Sequence, residues 1–297
     1  MLNINQAISL VYKSYDAMFR DDILVLSSLN KFLDIASYYG NNAVWSVYNM
    51  LLLLSQAPEY RNLMFEQELL DERVYISPGS RPVSLISLSS KTQKYEVFEM
   101  FDLSQTTASE QAKYSVVTAT PHLTLYAVLA SLKSIGWKTT CYSASAFKWS
   151  DWARVGDPDP HCRFAEVYFR EASDDEKSQL STDVIDTNKC RDIWKAFALW
   201  NLYYMDEIRT SNDFPHKYLP QSELFADLMC TRYKLSSGHG MEHIPKALDG
   251  VKVPLKEFRE TFEPVLFLMR TMCGNMDKWV NFYVNPHEPV AVEKGGD

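Results

Sequence analysis

The chain has 297 residues, 46% of them apolar and 13% aromatic, enough to bury one large core or two smaller ones. Its net charge of −8 at pH 7 argues against a protein that holds nucleic acid mainly by neutralising phosphates, where a basic domain is expected. Residues 1 to 110 alone carry 8 Lys and Arg against 13 Asp and Glu, a net of −5. The start Met1-Leu2-Asn3-Ile4 lacks a basic stretch followed by an apolar run, so no signal peptide is expected. No segment has the ~20 apolar residues of a membrane span. Cysteines 141, 162, 190, 230 and 273 are scattered without a Cys-x-x-Cys pair, which predicts neither a disulfide framework nor a cysteine zinc site and fits a reducing cytoplasm.

In chain order, residues 5–19 and 22–39 read as helices, the second closed by Gly40. The apolar run Trp45–Gln56 reads as a core helix stopped by Pro58. Its polar positions Ser46, Asn49 and Gln56 then need partners, because buried amides are hydrogen-bonded. Leu63–Glu72 reads as a short helix and Val74–Ser77 as a strand. Pro78-Gly79 marks a turn. Pro82–Leu88 and Tyr95–Phe101 alternate like strands around a polar turn at 89–93.

Residues 107–120 are polar and aperiodic and read as a linker between a domain over 1–106 and one over 121–285, with a tail over 286–297. Pro121 opens a helix that Gly136 ends. Strands are predicted at Trp137–Tyr142 and Arg163–Arg170. The capping box Ser173-Asp174-Asp175-Glu176 starts a helix over 173–188; others follow over 191–208 and 221–235. A last helix opens at Pro254, with Pro264 expected to kink or divide it and Gly274 to end it. The fold class expected is α+β: helices on a small antiparallel sheet, then a mostly helical domain.

The pattern Trp45-Ser46-x-x-Asn49-x-x-Leu52-Leu53…Gln56-x-Pro58, the Pro78-Gly79 turn, and Phe101-Asp102-Leu103-Ser104-Gln105-Thr106 together resemble the N-terminal domain of ArdC-type and LtrC-like antirestriction proteins. The resemblance covers residues 20 to 106 and continues over 163 to 235. It implies a single-stranded-DNA-binding domain followed by a zincin-like metallopeptidase domain, and a cytoplasmic counter-defence role for a phage or mobile element in a bacterial host.

A zincin helix carries His-Glu-x-x-His, whose spacing of four puts both imidazoles on one face while the Glu activates a zinc-bound water. No His occurs between His161 and His216, so that motif is absent. Glu223-Leu224-Phe225-Ala226-x-x-x-Cys230 is similar to the family's "Glu-Ser-Val-Ala-x-x-x-Cys", which implies that Glu223 matches the family's third metal ligand. Beside Asp183 and Asp186 it could hold a hard divalent cation, but a vestigial role for these carboxylates is preferred. His239-Gly240-Met241-Glu242-His243 spells the inverted motif, yet glycines and Pro245 surround it, so it reads as a loop and a decoy. The isolated histidines and the acidic Pro turn at 157–161 read as structural. The stripe Trp194, Phe197, Trp200, Tyr203, Tyr204 is core before it is a stacking platform.

The function expected is a non-catalytic antirestriction protein that binds single-stranded DNA or a host defence protein. No cofactor and no membrane partner are expected, and room is left for a homo-oligomer. The DNA-binding residues expected are Asn49, Gln56, Arg81, Lys91, Lys94 and Tyr95. The alternative is a metal-dependent peptidase or hydrolase with a non-standard metal site.

Overall fold

A computed structural model describes residues 2–19, 22–38, 46–107, 117–156, 165–206, 216–235 and 253–285, the side chains of 22–29 and 216 excepted. The Gly40 cap, the 157–161 turn, the 239–243 segment and the tail from 286 lie outside the described residues. The fold is α+β and divides into two compact units. The first comprises Met1–Val116 and Val251–Leu266; the second comprises Val117–Gly250 and Phe267–Asp297. Residues 251–266 therefore leave the continuous second domain expected over 121–285.

In the first unit, α1 (Ile4–Met18), α2 (Asp22–Tyr38) and α3 (Val47–Gln56) are followed by β1 (Leu63–Met64), α4 (Glu66–Asp71), β2 (Val83–Leu88) and β3 (Tyr95–Asp102). Ser46 caps α3, its hydroxyl accepting from Asn49 N at 3.3 Å. Met50, Leu51, Leu52 and Leu53 are all fully buried. Four consecutive buried apolar residues mark a helix enclosed on every side; α1, α2 and β2 pack around it. The start of α9 (Leu255–Val284) completes this core. Phe258 stacks on Phe262 at 4.5 Å and meets Tyr15 and Phe32 edge-on, while the Tyr15 hydroxyl donates to Val253 O. Those contacts hold residues 253–262 in the first unit. Contrary to expectation, Pro264 does not divide α9 and Gly274 does not end it.

The sheet is antiparallel in the order β1-β3-β2, with β2 paired to β3 from Val83↔Met100 to Leu88↔Tyr95. The Leu63–Glu72 helix of the sequence reading is shortened, because residues 63–64 form β1 against Asp102 and Phe101. The cause is Asp102, which is 4% exposed. Its carboxylate accepts from the backbone N of Arg61 at 2.8 Å, Asn62 at 2.7 Å and Ser104 at 2.9 Å. Val74–Ser77 forms no strand; it contributes one bridge, Ile76↔Thr106.

In the second unit, α5 (Pro121–Ser134) is ended by Gly136 at φ +86°, where a glycine meets no Cβ penalty. β4 (Lys138–Tyr142) runs parallel to β6 (Glu166–Arg170), and β5 (Ala153–Val155) pairs with the other edge of β6, antiparallel. The helix expected over 173–188 is instead two. α6 (Asp174–Gln179) stops at Leu180, which is extended, and Ser181 caps a new helix, α7 (Thr182–Met205). α7 is continuous through residue 191 and packs on α5 and on α8 (Leu219–Arg232). Trp194, Phe197, Trp200 and Tyr203 are buried core residues.

Arg170 grips Glu176 in a two-pronged pair, both bonds at 2.7 Å. That pairing, helped by the Ser173 cap, lowers the Glu176 carboxyl to about 2. A carboxyl lowered on folding contributes stability above its unfolded value and loses it as pH falls. The second unit should therefore lose on the order of 2 kcal/mol between about pH 5 and pH 2 through this pair. Glu176→Gln should flatten that limb of the stability profile; an unchanged acid limb would show that the pair is inert.

Candidate functional site

The first unit does not assemble its six expected DNA-binding residues in one place. Asn49 is 1% exposed. Its Nδ2 donates to Ile86 O at 2.9 Å and its Oδ1 accepts from Ile86 N at 2.9 Å. Gln56 treats Ser84 likewise, donating to its O at 2.9 Å and accepting from its N at 3.1 Å. Alternate residues of an edge strand turn their backbone groups away from their neighbour, and β2 is an edge strand. The two amides of α3 thus stand in for a missing strand beside Ser84 and Ile86. Both expected contact residues are thus engaged with the β2 backbone.

Arg81 and the lysines are separated by the length of β2. Arg81 precedes Val83, while Lys91 and Lys94 lie in the turn after Leu88. At ~3.4 Å per residue the strand itself spans roughly 17 Å. Arg81 is exposed, and its carbonyl accepts from Gln105 Nε2 at 2.8 Å.

Tyr95, at the lysine end, does line a groove. The groove has a volume of about 450 Å³ and is walled by Ser46, Tyr48, Leu88, Tyr95, Arg259 and Glu263, among others. Tyr48 and Tyr95 stand 6.5 Å apart at 60°. The Arg259 guanidinium lies 5.5 Å from the Tyr48 ring centre and donates to its hydroxyl at 3.3 Å. Glu263 is turned to the helix end, accepting from Val47 N at 3.2 Å. Leu88 and Tyr95, opposite each other in the β2–β3 register, are both exposed, at 54% and 41%. Two rings, an apolar side chain and a guanidinium make a surface on which flat, weakly charged groups stack. Sequence reading found Tyr95 but not Tyr48 or Arg259. Arg259 reaches the groove from more than 150 positions down the chain, beyond any local pattern.

In the second unit, Asp183, Asp186 and Glu223 have separate surroundings. Asp183 is exposed in the first turn of α7. Asp186 is buried and meets His122 Nδ1 at 2.9 Å, with Lys189 at 3.8 Å. Among the described residues no group of three or more His, Cys, Asp or Glu could hold a metal. Asp183, Asp186 and Glu223 are not among any such group. His239 and His243 lie outside the described residues.

Glu223 has other company. Lys195 Nζ lies 2.6 Å from its Oε1 and Arg191 Nη2 lies 2.6 Å from its Oε2. The same guanidinium meets Asp227 Oδ1, through Nη2 at 3.0 Å and Nε at 3.1 Å. Burial alone would raise the Glu223 carboxyl; Lys195 and Arg191 outweigh it and hold Glu223 below its usual range. Burial would likewise lower Arg191, but Asp227 and Glu223 keep it raised and charged. Asp192, next to Arg191, accepts from Trp152 N at 2.7 Å and is itself raised, chiefly by burial. In the stretch Arg191-Asp192-Ile193-Trp194-Lys195, two cations four residues apart thus meet one carboxylate. A search confined to histidine passes over it, and an expected helix break before residue 191 hid it further. The surroundings of Glu223 do not fit a metal, because two cations already hold its carboxylate.

No helix among the described residues is long and apolar enough to cross a membrane. No protein-family model and no curated protein matches the sequence. Among solved structures, the chain is similar to the antirestriction ArdC protein from the R388 plasmid in its metal-free structure, at 11% identity and a TM-score of 0.36, over 82% of this chain and 86% of that one. It is similar also to the Mn(II)-bound structure of that protein, at 11% identity and a TM-score of 0.33, over 81% and 89% of the two chains. Neither likeness is high enough to carry a residue's role across.

Proposed function

We propose that the chain is a non-catalytic antirestriction protein of a phage or mobile element and acts by binding, with single-stranded DNA held at the Tyr48–Tyr95–Arg259 groove. The observation that carries this reading is the groove itself, two tyrosines and a guanidinium in a unit that is otherwise acidic. Stacking of bases on aromatic rings is tolerant of sequence and contributes about 1–3 kcal/mol per base. It needs few phosphate contacts, so the net charge is no obstacle. Lys91 and Lys94, in the turn just before Tyr95, are the nearest sources of phosphate contacts on the hairpin. The motifs over 45–106 that resemble ArdC-type proteins lie in the same unit and support the counter-defence role.

Fluorescence anisotropy with a labelled oligo-dT tests this. Binding should be weak at physiological salt and fall only shallowly as salt rises. Tyr95→Ala should weaken it about tenfold, the equivalent of one stacked base. Arg81→Ala, at the far end of β2, should leave it unchanged. Equal affinity for wild type and Tyr95→Ala would remove the groove from the reading and turn attention to a host defence protein as partner. Against the alternative, a metal-dependent peptidase or hydrolase, stands the engagement of Glu223 by Arg191 and Lys195.

A further inference from the structure

We infer that Arg191, Lys195 and Glu223 occupy the three ligand positions of a tetrahedral metal centre, with two fixed cations in place of a divalent ion and its imidazoles. The inference concerns the second unit and does not rest on strand binding in the first.

Three observations carry it. Arg191 and Lys195 are four apart on α7, so they share one face with Cβ atoms roughly 5–6 Å apart. Both reach the same carboxylate on α8, one to each oxygen, at 2.6 Å. Two side chains at spacing four on one helix and a carboxylate from another are the protein ligands of a two-His, one-carboxylate zinc site. The charge also matches. Arg191 and Lys195 bring two positive charges, as one divalent metal does with two neutral imidazoles. Asp227, 3.0 Å from the Arg191 guanidinium, supplies a second carboxylate beside the cluster, as metal centres commonly have in their outer shell. Imidazole is also shorter than either present side chain, so histidine at both positions would free the space that the guanidinium and ammonium heads now fill.

The inference predicts that two substitutions create a metal site. Arg191→His with Lys195→His should retain one equivalent of zinc per chain after dialysis, and its cobalt form should show the visible bands of a tetrahedral ion. Wild type treated identically should retain none. Adding Glu223→Ala to the pair should weaken zinc retention at least tenfold, which separates this site from any use of His239 and His243. Without metal the double variant places Glu223, Asp227 and Asp192 together with neither cation. Its melting temperature should therefore fall below that of wild type and rise again on adding zinc, whereas wild type should not respond.

A double variant that folds but retains no zinc overturns the inference. So does one that stays unfolded in millimolar zinc, or one whose zinc survives Glu223→Ala. Zinc held by wild type and released by Glu223→Ala would also overturn it, since the cations would then not fill the position.

Discussion

Arg191→Leu should cost the second unit about 3–5 kcal/mol, the expected penalty for removing one partner of a buried ion pair. Arg191 is 5% exposed and Asp227 6%, so Asp227 would lose the guanidinium in a site that water scarcely reaches. Glu223 would retain Lys195 and fare better. Replacing Arg191 by Met together with Glu223 and Asp227 by Leu should restore most of the loss, because well-packed apolar side chains often equal or exceed a buried ion cluster. Lys195 can then turn its ammonium toward solvent along its flexible stem. Six of the seven tryptophans, all but Trp45, belong to the second unit, so urea unfolding followed by tryptophan fluorescence reports chiefly on it. If the triple variant is no more stable than Arg191→Leu, the loss comes from packing around α7 rather than from stranded charge.

That comparison also shows what could be read from the sequence and what could not. The cap at Ser173 was legible because its side chain bonds a backbone group three residues on, and the stop at Gly136 because glycine takes a positive φ without a Cβ penalty. The buried stripe from Trp194 to Tyr203 was legible because burial follows helical period. The break at Leu180 was not, since Ser181 competes with an equally good box eight residues earlier. Arg191 and Lys195 were present as letters, but their meaning depends on Glu223 standing across from them on α8. A basic pair at spacing four ordinarily marks a solvated helix face; only the packing of α7 on α8 turns it inward. The groove has the same character, because Tyr48, Tyr95 and Arg259 come from three elements and share no spacing.

Asn49 was legible as a residue needing a partner, and its partner makes the last prediction sharp. Asn49→Ala should lower the stability of the first unit by about 3–5 kcal/mol. Part of that is two buried backbone groups of Ile86 left without partners, each costing about 1–3 kcal/mol; the rest is lost packing against β2. Gln56→Ala should cost less, about 1 kcal/mol, since Gln56 is half-buried and water can reach Ser84 in its place. Hydrogen exchange distinguishes this account from a general loosening. The Ile86 amide, bonded to Asn49 Oδ1 at 2.9 Å, should lose protection in Asn49→Ala by a larger factor than amides of β3, which keep their ladder bonds to β2. Uniform loss across β2 and β3 would mean that Asn49 acts on the whole unit and not on one strand edge. Below the melting transition the variant should still bind oligo-dT as wild type does, because its amide faces β2 and not the groove. A binding defect in folded Asn49→Ala would instead place the strand on the amide side of α3, and the tyrosines would lose their role.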